Sequence, residues 1–144
     1  MNISMSKADI GVSQGCFHTP IVYDVCRASA AECNNRESEE VNMPKGAQKM
    51  RVAIASDHGG FGFKEPLARY IESLGYEVED CGPDSFDRVD YPDYADIVAR
   101  KVANQEADYG VLICGTGLGM AITADKVAGV RAATVTSHMF AKLA

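Results

Sequence analysis

From Arg51 onward, short continuous apolar runs alternate with longer segments in which apolar residues recur at helical spacing. Continuous apolar runs are typical of strands that are covered on both faces, and helical spacing places apolar side chains on one side of a helix. The patterns predict strands over 52–55, 76–80, 109–114 and 131–135. Such alternation is characteristic of an α/β fold with a parallel sheet.

The segments between and after these strands predict helices. The first ends at Gly75, the second begins near Asp90 and Pro92, the third covers 117–127, and the last begins near Ser137. In the first two helices, one face is expected to be apolar and to pack on the sheet. Its members are Leu67, Tyr70, Ile71 and Leu74 in the first helix, and Tyr94, Ile97, Val98 and Lys101/Val102 in the second.

Residues 1–49 differ in composition from the rest of the chain. They are rich in Ser, Asn and Glu, they include the charged run 36–40, and they have no sustained helical or strand period. We therefore expect a disordered N-terminal extension over 1–49 and a folded domain over 50–144. Ile21–Tyr23 has the composition of a short strand, but no pairing partner is evident nearby in the sequence.

Length, charge and hydropathy limit the classes of function. The 144 residues, 47% of them hydrophobic and 24% charged, suit one globular domain with a sizeable core. A net charge of −6 argues against a broad nucleic-acid or anionic-membrane surface, although a local basic pocket for a phosphorylated metabolite remains compatible with it. No apolar run approaches the ~18 residues of a membrane span, and no secretory signal is evident, so a cytoplasmic protein is expected.

The chain contains five cysteines, Cys16, Cys26, Cys33, Cys81 and Cys114. Their odd number, their wide spacing and the absence of a C-x-x-C pair favour reduced thiols over a disulfide framework or a zinc site.

The stretch 111–120 combines a buried strand, a glycine-rich turn and the start of a helix. Gly115, Gly117 and Gly119 have no Cβ, so backbone N–H groups there can approach a ligand closely, and the positive end of the helix dipole favours an anion or oxyanion. The same field is expected to lower the pKa of the Cys114 thiol and prepare it to act as a base or nucleophile. From the turn alone, a merely structural buried cysteine remains an alternative.

Two nucleotide-binding motifs fit this turn poorly. A dinucleotide fingerprint requires G-x-G-x-x-G, whereas the third glycine here comes one residue early, and the G-K-[ST] of a P-loop is absent.

Polar side chains follow three of the predicted strands at the point where each strand ends. Asp57 and His58 follow the first strand, Cys114 ends the third, and Thr136–His138 follow the fourth. Because ligands of open parallel sheets bind at the carboxyl ends of the strands, these groups are expected at one edge.

Four segments together resemble ribose-5-phosphate isomerase B and its relatives in the RpiB/LacAB sugar-phosphate isomerase family. The segments are 56–60 (SDHGG), 90–94 (DYPDY), 113–119 (ICGTGLG) and 129–133 (GVRAA), and the resemblance covers Met50–Ala144. It implies a three-layer Rossmann-like parallel sheet with helices on both faces. It also implies a homodimer that interconverts ribose 5-phosphate and ribulose 5-phosphate.

The resemblance also implies roles for individual residues. Cys114 matches the family's catalytic base, and the backbone N–H groups of the turn match its anion hole. The Thr116 hydroxyl matches a group beside the anion hole, and the turn itself is formed by Gly115, Gly117 and Gly119. Asp57 and His58 match residues that hold the sugar ring and its phosphate. Tyr91 matches a tyrosine that lines the pocket. Aldose–ketose isomerisation moves a proton between adjacent carbons through an enediolate intermediate. This reaction needs an acid, a base and oriented dipoles, so no metal or organic cofactor is expected.

The chain also departs from the family pattern. Asp125-Lys126 stands where Asn-Lys is common, and the family's C-terminal Arg-x-His-Asn segment and later arginines have no counterpart. His138 precedes the tetrapeptide AKLA at 141–144, whereas the family's histidine follows the tetrapeptide that matches it. We therefore expect a fold truncated after the fourth strand and little or no isomerase activity for the chain as written. An inactive fragment, a sugar-phosphate binding module, and an isomerase of a hexose or tetrose phosphate are the alternatives.

Overall fold

The structure is a computed structural model that describes residues 21–27, for which only the backbone is considered, and residues 49–143. Each strand and helix predicted from Arg51 onward is present. The elements in chain order are β1 (Ile21–Arg27), β2 (Arg51–Ser56), α1 (Phe61–Ser73), β3 (Glu77–Asp80), α2 (Tyr91–Ala103), β4 (Tyr109–Cys114), α3 (Leu118–Asp125), β5 (Val130–Val135) and α4 (His138–Leu143).

The strands form a five-stranded sheet in the order β3-β2-β4-β1-β5. β2 pairs in parallel with β3 on one side and with β4 on the other. Helix α1 packs on one face of these strands, and α2 and α3 pack on the opposite face. The predicted α/β fold, with parallel strands and helices on both faces, is confirmed.

The N-terminal strand β1 occupies a position that the sequence did not predict. It is antiparallel to both neighbours, and its first residue, Ile21, pairs with Cys114 of β4 while Val22 pairs with Val135 of β5. The partners of Ile21–Tyr23 are thus not nearby in the sequence but lie in β4 and β5, far along the chain. Residues 1–20 and 28–48 lie outside the described residues, so the division of the chain at Met50 stays a prediction.

The core has one layer on each face of the sheet. The layer under α1 contains Val52, Ile54, Leu67, Ile71, Val111 and Ile113. The layer under α2 and α3 is larger and includes Ala53, Ala55, Val98, Leu112, Cys114 and Met120. These alternating positions along β2 and β4 show why both strands are apolar throughout, since each presents successive side chains to opposite faces.

Two residues assigned to the apolar helix faces lie outside the core. Leu74 is 51% exposed because α1 ends at Ser73, and Ile97 of α2 is 42% exposed because Ala95, Val98, Ala99 and Val102 form the buried stripe. Within the described ranges, no helix is long and apolar enough to cross a membrane.

Candidate functional site

The turn after β4 is folded around the sulfur of Cys114. The backbone N–H of Gly117 donates a hydrogen bond to Cys114 Sγ at 2.8 Å, and the N–H groups of Thr116 and Met120 also point to the sulfur. Gly117 has a φ of 77°, in the left-handed region that glycine adopts without strain, and it begins α3 as the N-cap. The glycine turn thus directs backbone dipoles at the thiol, as the sequence predicted.

The net effect on the acidity of Cys114 is opposite to the prediction. Burial raises the pKa of this thiol, the N–H of Thr116 lowers it, the charge of Asp57 raises it, and the N–H groups of Gly117 and Met120 lower it. The sum lies above the ordinary value, so the expected depression is wrong. The physical reason is that Cys114 is only 5% exposed, and removing a thiolate from water costs more than the turn's dipoles return.

The loop after β2 lies directly beside this turn. Asp57 N–H donates to the carbonyl of Ile113 at 3.0 Å, and the Asp57 carboxylate accepts the N–H of Gly60 at 2.8 Å. A Cβ built on Gly59 would lie 3.2 Å from Asp57 Oδ1 and 3.6 Å from the backbone nitrogen of Gly115. The structure therefore brings Asp57 and the Cys114 turn together, with the exposed His58 next to them.

Tyr91 lies across the first turn of α3. A Cβ on Gly119 would be 2.5 Å from Cζ and 2.9 Å from the hydroxyl oxygen of Tyr91, so the absence of a side chain at 119 makes room for this ring. Tyr91 is the first residue of α2 and is 41% exposed. The phenol therefore forms a wall beside the Cys114 turn, with part of its surface open to solvent.

The polar residues after β5 are not brought to the same place. Because β1 separates β4 from β5, the end of β5 lies two strand spacings, roughly 9–10 Å, from the end of β4. Thr136 and Ser137 are exposed there, and the side chain of His138 is not among those described. The expected convergence holds for the ends of β2 and β4 and not for the end of β5.

Sequence reasoning did not single out Lys64. This lysine lies on the buried face of α1, three residues before Leu67 and seven before Ile71, and its side chain is only 4% exposed. A lysine at a position of the apolar helical stripe was the available sign, because an ammonium group is rarely buried unless it is paired.

The chemistry of the site is that of a buried thiol beside a carboxylate, an imidazole and a phenol. In residues 21–27 and 49–143, no group of three or more His, Cys, Asp or Glu side chains is placed to hold a metal ion. The site places the Cys114 thiol in a turn whose backbone N–H groups favour negative charge.

Comparison with known families agrees with this geometry. A family model described as Ribose/Galactose Isomerase matches residues 52–144, which is more than half of the chain. The chain belongs to this family. All of the site residues described above lie within the matched range.

Individual relatives match the same part of the chain. Ribose-5-phosphate isomerase B of Escherichia coli is 44% identical over 93 residues, which are 65% of this chain and 62% of that protein. D-erythrulose-4-phosphate isomerase 2 of Mycolicibacterium smegmatis is 46% identical over 92 residues, 62% of this chain and 59% of that protein. The chain thus spans about three fifths of the length of these curated relatives.

The fold is also similar to that of solved structures. The type B ribose 5-phosphate isomerase of Trypanosoma brucei has a TM-score of 0.55 and 51% sequence identity, over 57% of this chain and 56% of that one. At this identity and TM-score, the two chains share an α/β architecture over the matched part.

Proposed function

We propose that the chain carries the catalytic thiol of an aldose–ketose isomerase that interconverts ribose 5-phosphate and ribulose 5-phosphate. The observation that carries this proposal is the arrangement of Cys114, whose sulfur lies at a strand exit and accepts the Gly117 N–H at 2.8 Å. A merely structural cysteine needs no such donors. The family membership of residues 52–144 supports the reaction class.

In the proposed mechanism, the Cys114 thiolate removes the proton from C2 of the open-chain aldose and returns it to C1, while the hydroxyl proton on O2 passes to O1 and C2 becomes the carbonyl carbon. The intermediate is an enediolate, so charge passes from the sulfur to a substrate oxygen during the first step. The N–H groups of Thr116, Gly117 and Met120 are directed at the sulfur, so stabilisation of the enediolate falls to the remaining N–H groups of the turn and to the exposed Thr116 hydroxyl. A raised pKa makes the thiolate a scarce but strong base.

The other site residues are proposed to bind the substrate. Asp57 lies beside the Gly115 backbone, where its carboxylate can accept hydrogen bonds from sugar hydroxyls. The exposed His58 is available to the phosphate, and the Tyr91 ring provides one wall of the pocket. Gly115, Gly117 and Gly119 contribute backbone rather than side chains.

An isomerase of a different sugar phosphate is the second candidate. It is favoured by the relative named as a D-erythrulose-4-phosphate isomerase, which is as similar to this chain as the ribose-5-phosphate isomerase of E. coli. The two candidates share the base and the turn and differ in the length of sugar that the pocket accepts.

We also propose that the protein acts as a homodimer in the cytoplasm. Exposed apolar side chains support the association: Leu118 and Ile122 lie one turn apart on α3, and Met139, Phe140 and Leu143 are exposed on α4.

The test compares the 144-residue chain with a chimaera completed by the remaining C-terminal residues of the E. coli relative. Both are assayed with ribose 5-phosphate and with a tetrose phosphate, and the mass of each is measured by light scattering. We expect the chimaera to form ribulose 5-phosphate as a dimer and the chain alone to be at least ~10²-fold slower, since a general acid–base group is typically worth that much. A chimaera that folds and converts neither sugar would refute the proposed function. Preference for the tetrose would establish the second candidate.

A further inference from the structure

Lys64 is a buried ammonium group that the proposed reaction does not use. Its Nζ donates to Asp80 Oδ1 at 2.7 Å and to the carbonyl oxygen of Pro83 at 2.5 Å, and it lies 5.4 Å from the centre of the Phe61 ring. Asp80 is about half exposed, whereas Lys64 is almost completely buried. An ammonium group is rarely buried unless its partners are well placed, so these contacts constrain the residues that provide them.

The partners of Lys64 belong to the last residue of β3 and the loop that follows it, here together called the β3 exit loop (residues 80–83). Asp80 Oδ1 also accepts the N–H of Gly82 at 2.8 Å, so a single carboxylate oxygen links the lysine to the turn of the loop. Lys64 therefore holds both ends of the loop, Asp80 through its side chain and Pro83 through its backbone.

The β3 exit loop in turn holds the end of β2. Cys81 N–H donates to Ile54 O at 2.7 Å, and Ser56 N–H donates to Gly82 O at 3.1 Å. The next residue, Asp57, donates its own N–H to Ile113 of β4. The backbone immediately before and at Asp57 is thus fixed from two sides, by β4 and by the loop that Lys64 anchors.

We propose that Lys64 is a positioning residue, which holds the β3 exit loop against Ser56 and thereby places Asp57 for substrate binding. The contribution to binding rests on the proposed function, whereas the contribution to loop order does not. The Cys114 turn is held by its own hydrogen bonds and by β4, so removing Lys64 affects the binding side of the site and leaves the thiol side in place.

The test uses Lys64→Met in the 144-residue chain, with Lys101→Met as a matched control. Lys101 forms an ion pair with Glu79, the residue before Asp80 on β3, at 2.9 Å. Among the hydrogen bonds described for residues 49–143, none joins the Lys101 side chain to the backbone of the β3 exit loop. Amide hydrogen exchange, affinity for ribose 5-phosphate by calorimetry, and the rate of Cys114 alkylation are measured for each variant.

We expect Lys64→Met to speed exchange at the amides of Ser56, Gly60 and Gly82 by at least about tenfold, since each broken restraint opens the loop locally. Affinity for ribose 5-phosphate should fall by a similar factor, while Cys114 alkylation changes less than about threefold. Lys101→Met should leave all of these values near those of the unchanged protein. Lys64→Gln keeps an N–H donor without the charge and should restore part of the protection.

Should Lys64→Met fail to fold, Asp80→Asn provides the same test, because the amide oxygen can still accept the Gly82 N–H while the ion pair is lost. Unchanged exchange at Ser56 and Gly60 in a folded variant would overturn the proposal, as would equal effects of Lys64→Met and Lys101→Met. If the unchanged chain binds no sugar phosphate, the exchange comparison alone decides the role of Lys64, and the proposed function is decided separately by the chimaera.

Discussion

The same dipeptide, Cys-Gly, lies at the exits of two strands of the sheet, and the two exits differ in almost every other respect. Cys81-Gly82 follows β3 and Cys114-Gly115 ends β4. The sulfur of Cys114 accepts backbone N–H groups, whereas the thiol of Cys81 faces the Glu79 carbonyl at 3.8 Å and lies near the charges of Glu79 and Asp80. The direction of the surrounding dipoles distinguishes the two.

Both exits are also packed by a tyrosine from the first turn of α2. A Cβ on Gly82 would lie 2.9 Å from Cε1 of the half-buried Tyr94, and a Cβ on Gly119 would lie 2.5 Å from Cζ of the exposed Tyr91. The same helix end therefore closes the β3 exit with one ring and leaves the β4 exit bordered by another that solvent can reach. The two exits therefore differ in how far solvent reaches the ring that borders them.

The largest expected effect comes from removing each thiol in turn. Cys114→Ala in the completed chimaera should lower the isomerisation rate by about 10²- to 10⁴-fold, because a general base acts on the barrier. Sugar-phosphate affinity should change little, since the base contributes mainly in the transition state. Cys81→Ala should change the rate less than about threefold. Comparable losses from both variants, measured as kcat beside calorimetric affinity, would remove the distinction between the two exits.

A second comparison uses the glycines that receive the two tyrosines. Gly82→Ala should destabilise the fold by roughly 1–3 kcal/mol, because Gly82 has a φ of 93° that other residues adopt only with strain. Gly119→Ala lies in the helix, where alanine is favourable, so stability should be retained while displacement of Tyr91 weakens sugar-phosphate binding severalfold.

Urea unfolding and calorimetry separate these outcomes. In a Tyr91→Ala background, the affinity loss from Gly119→Ala should disappear, because the two changes act through one contact. An undiminished loss in that background would show that Gly119 acts directly on the ligand through its backbone.

The smallest expected effect is a difference in the titration of the two thiols. Burial and the neighbouring Glu79 raise the pKa of Cys81 to about 11, whereas at Cys114 backbone N–H groups oppose the increase in pKa that burial causes. Alkylation of Cys114 should therefore reach half its limiting rate at a lower pH than alkylation of Cys81. Isomerisation should likewise rise with pH as the Cys114 thiolate forms.

The sign for stability is opposite. A thiol whose folded pKa is raised stabilises the folded state at pH values below its unfolded pKa, and this contribution is lost as the pH rises through the folded value. In the alkylation experiment, peptide mapping by mass spectrometry separates Cys81 and Cys114 from Cys16, Cys26 and Cys33. A lower midpoint pH of alkylation for Cys81 than for Cys114 would contradict the assignment of the dipoles.

The sequence alone determined the elements from Arg51 onward, the strand exit at Cys114 and the family resemblance. These are local properties: apolar runs and helical spacing identify strands and helices, and the glycines after Cys114 identify a turn in which backbone N–H groups are accessible. Family membership followed from four short motifs in order, and the match over residues 52–144 confirms it.

Only the tertiary structure decided which groups meet and whether the pKa of Cys114 is raised or lowered. The pairing of Ile21 with Cys114, the separation of β4 from β5, the seating of Tyr91 on Gly119 and the ion pair of Lys64 with Asp80 all join residues distant in sequence. The pKa of Cys114 shows the reason most clearly. The N–H groups that lower it lie within a few residues and were foreseen, whereas the burial and the Asp57 charge that raise it depend on how separate strands and helices pack.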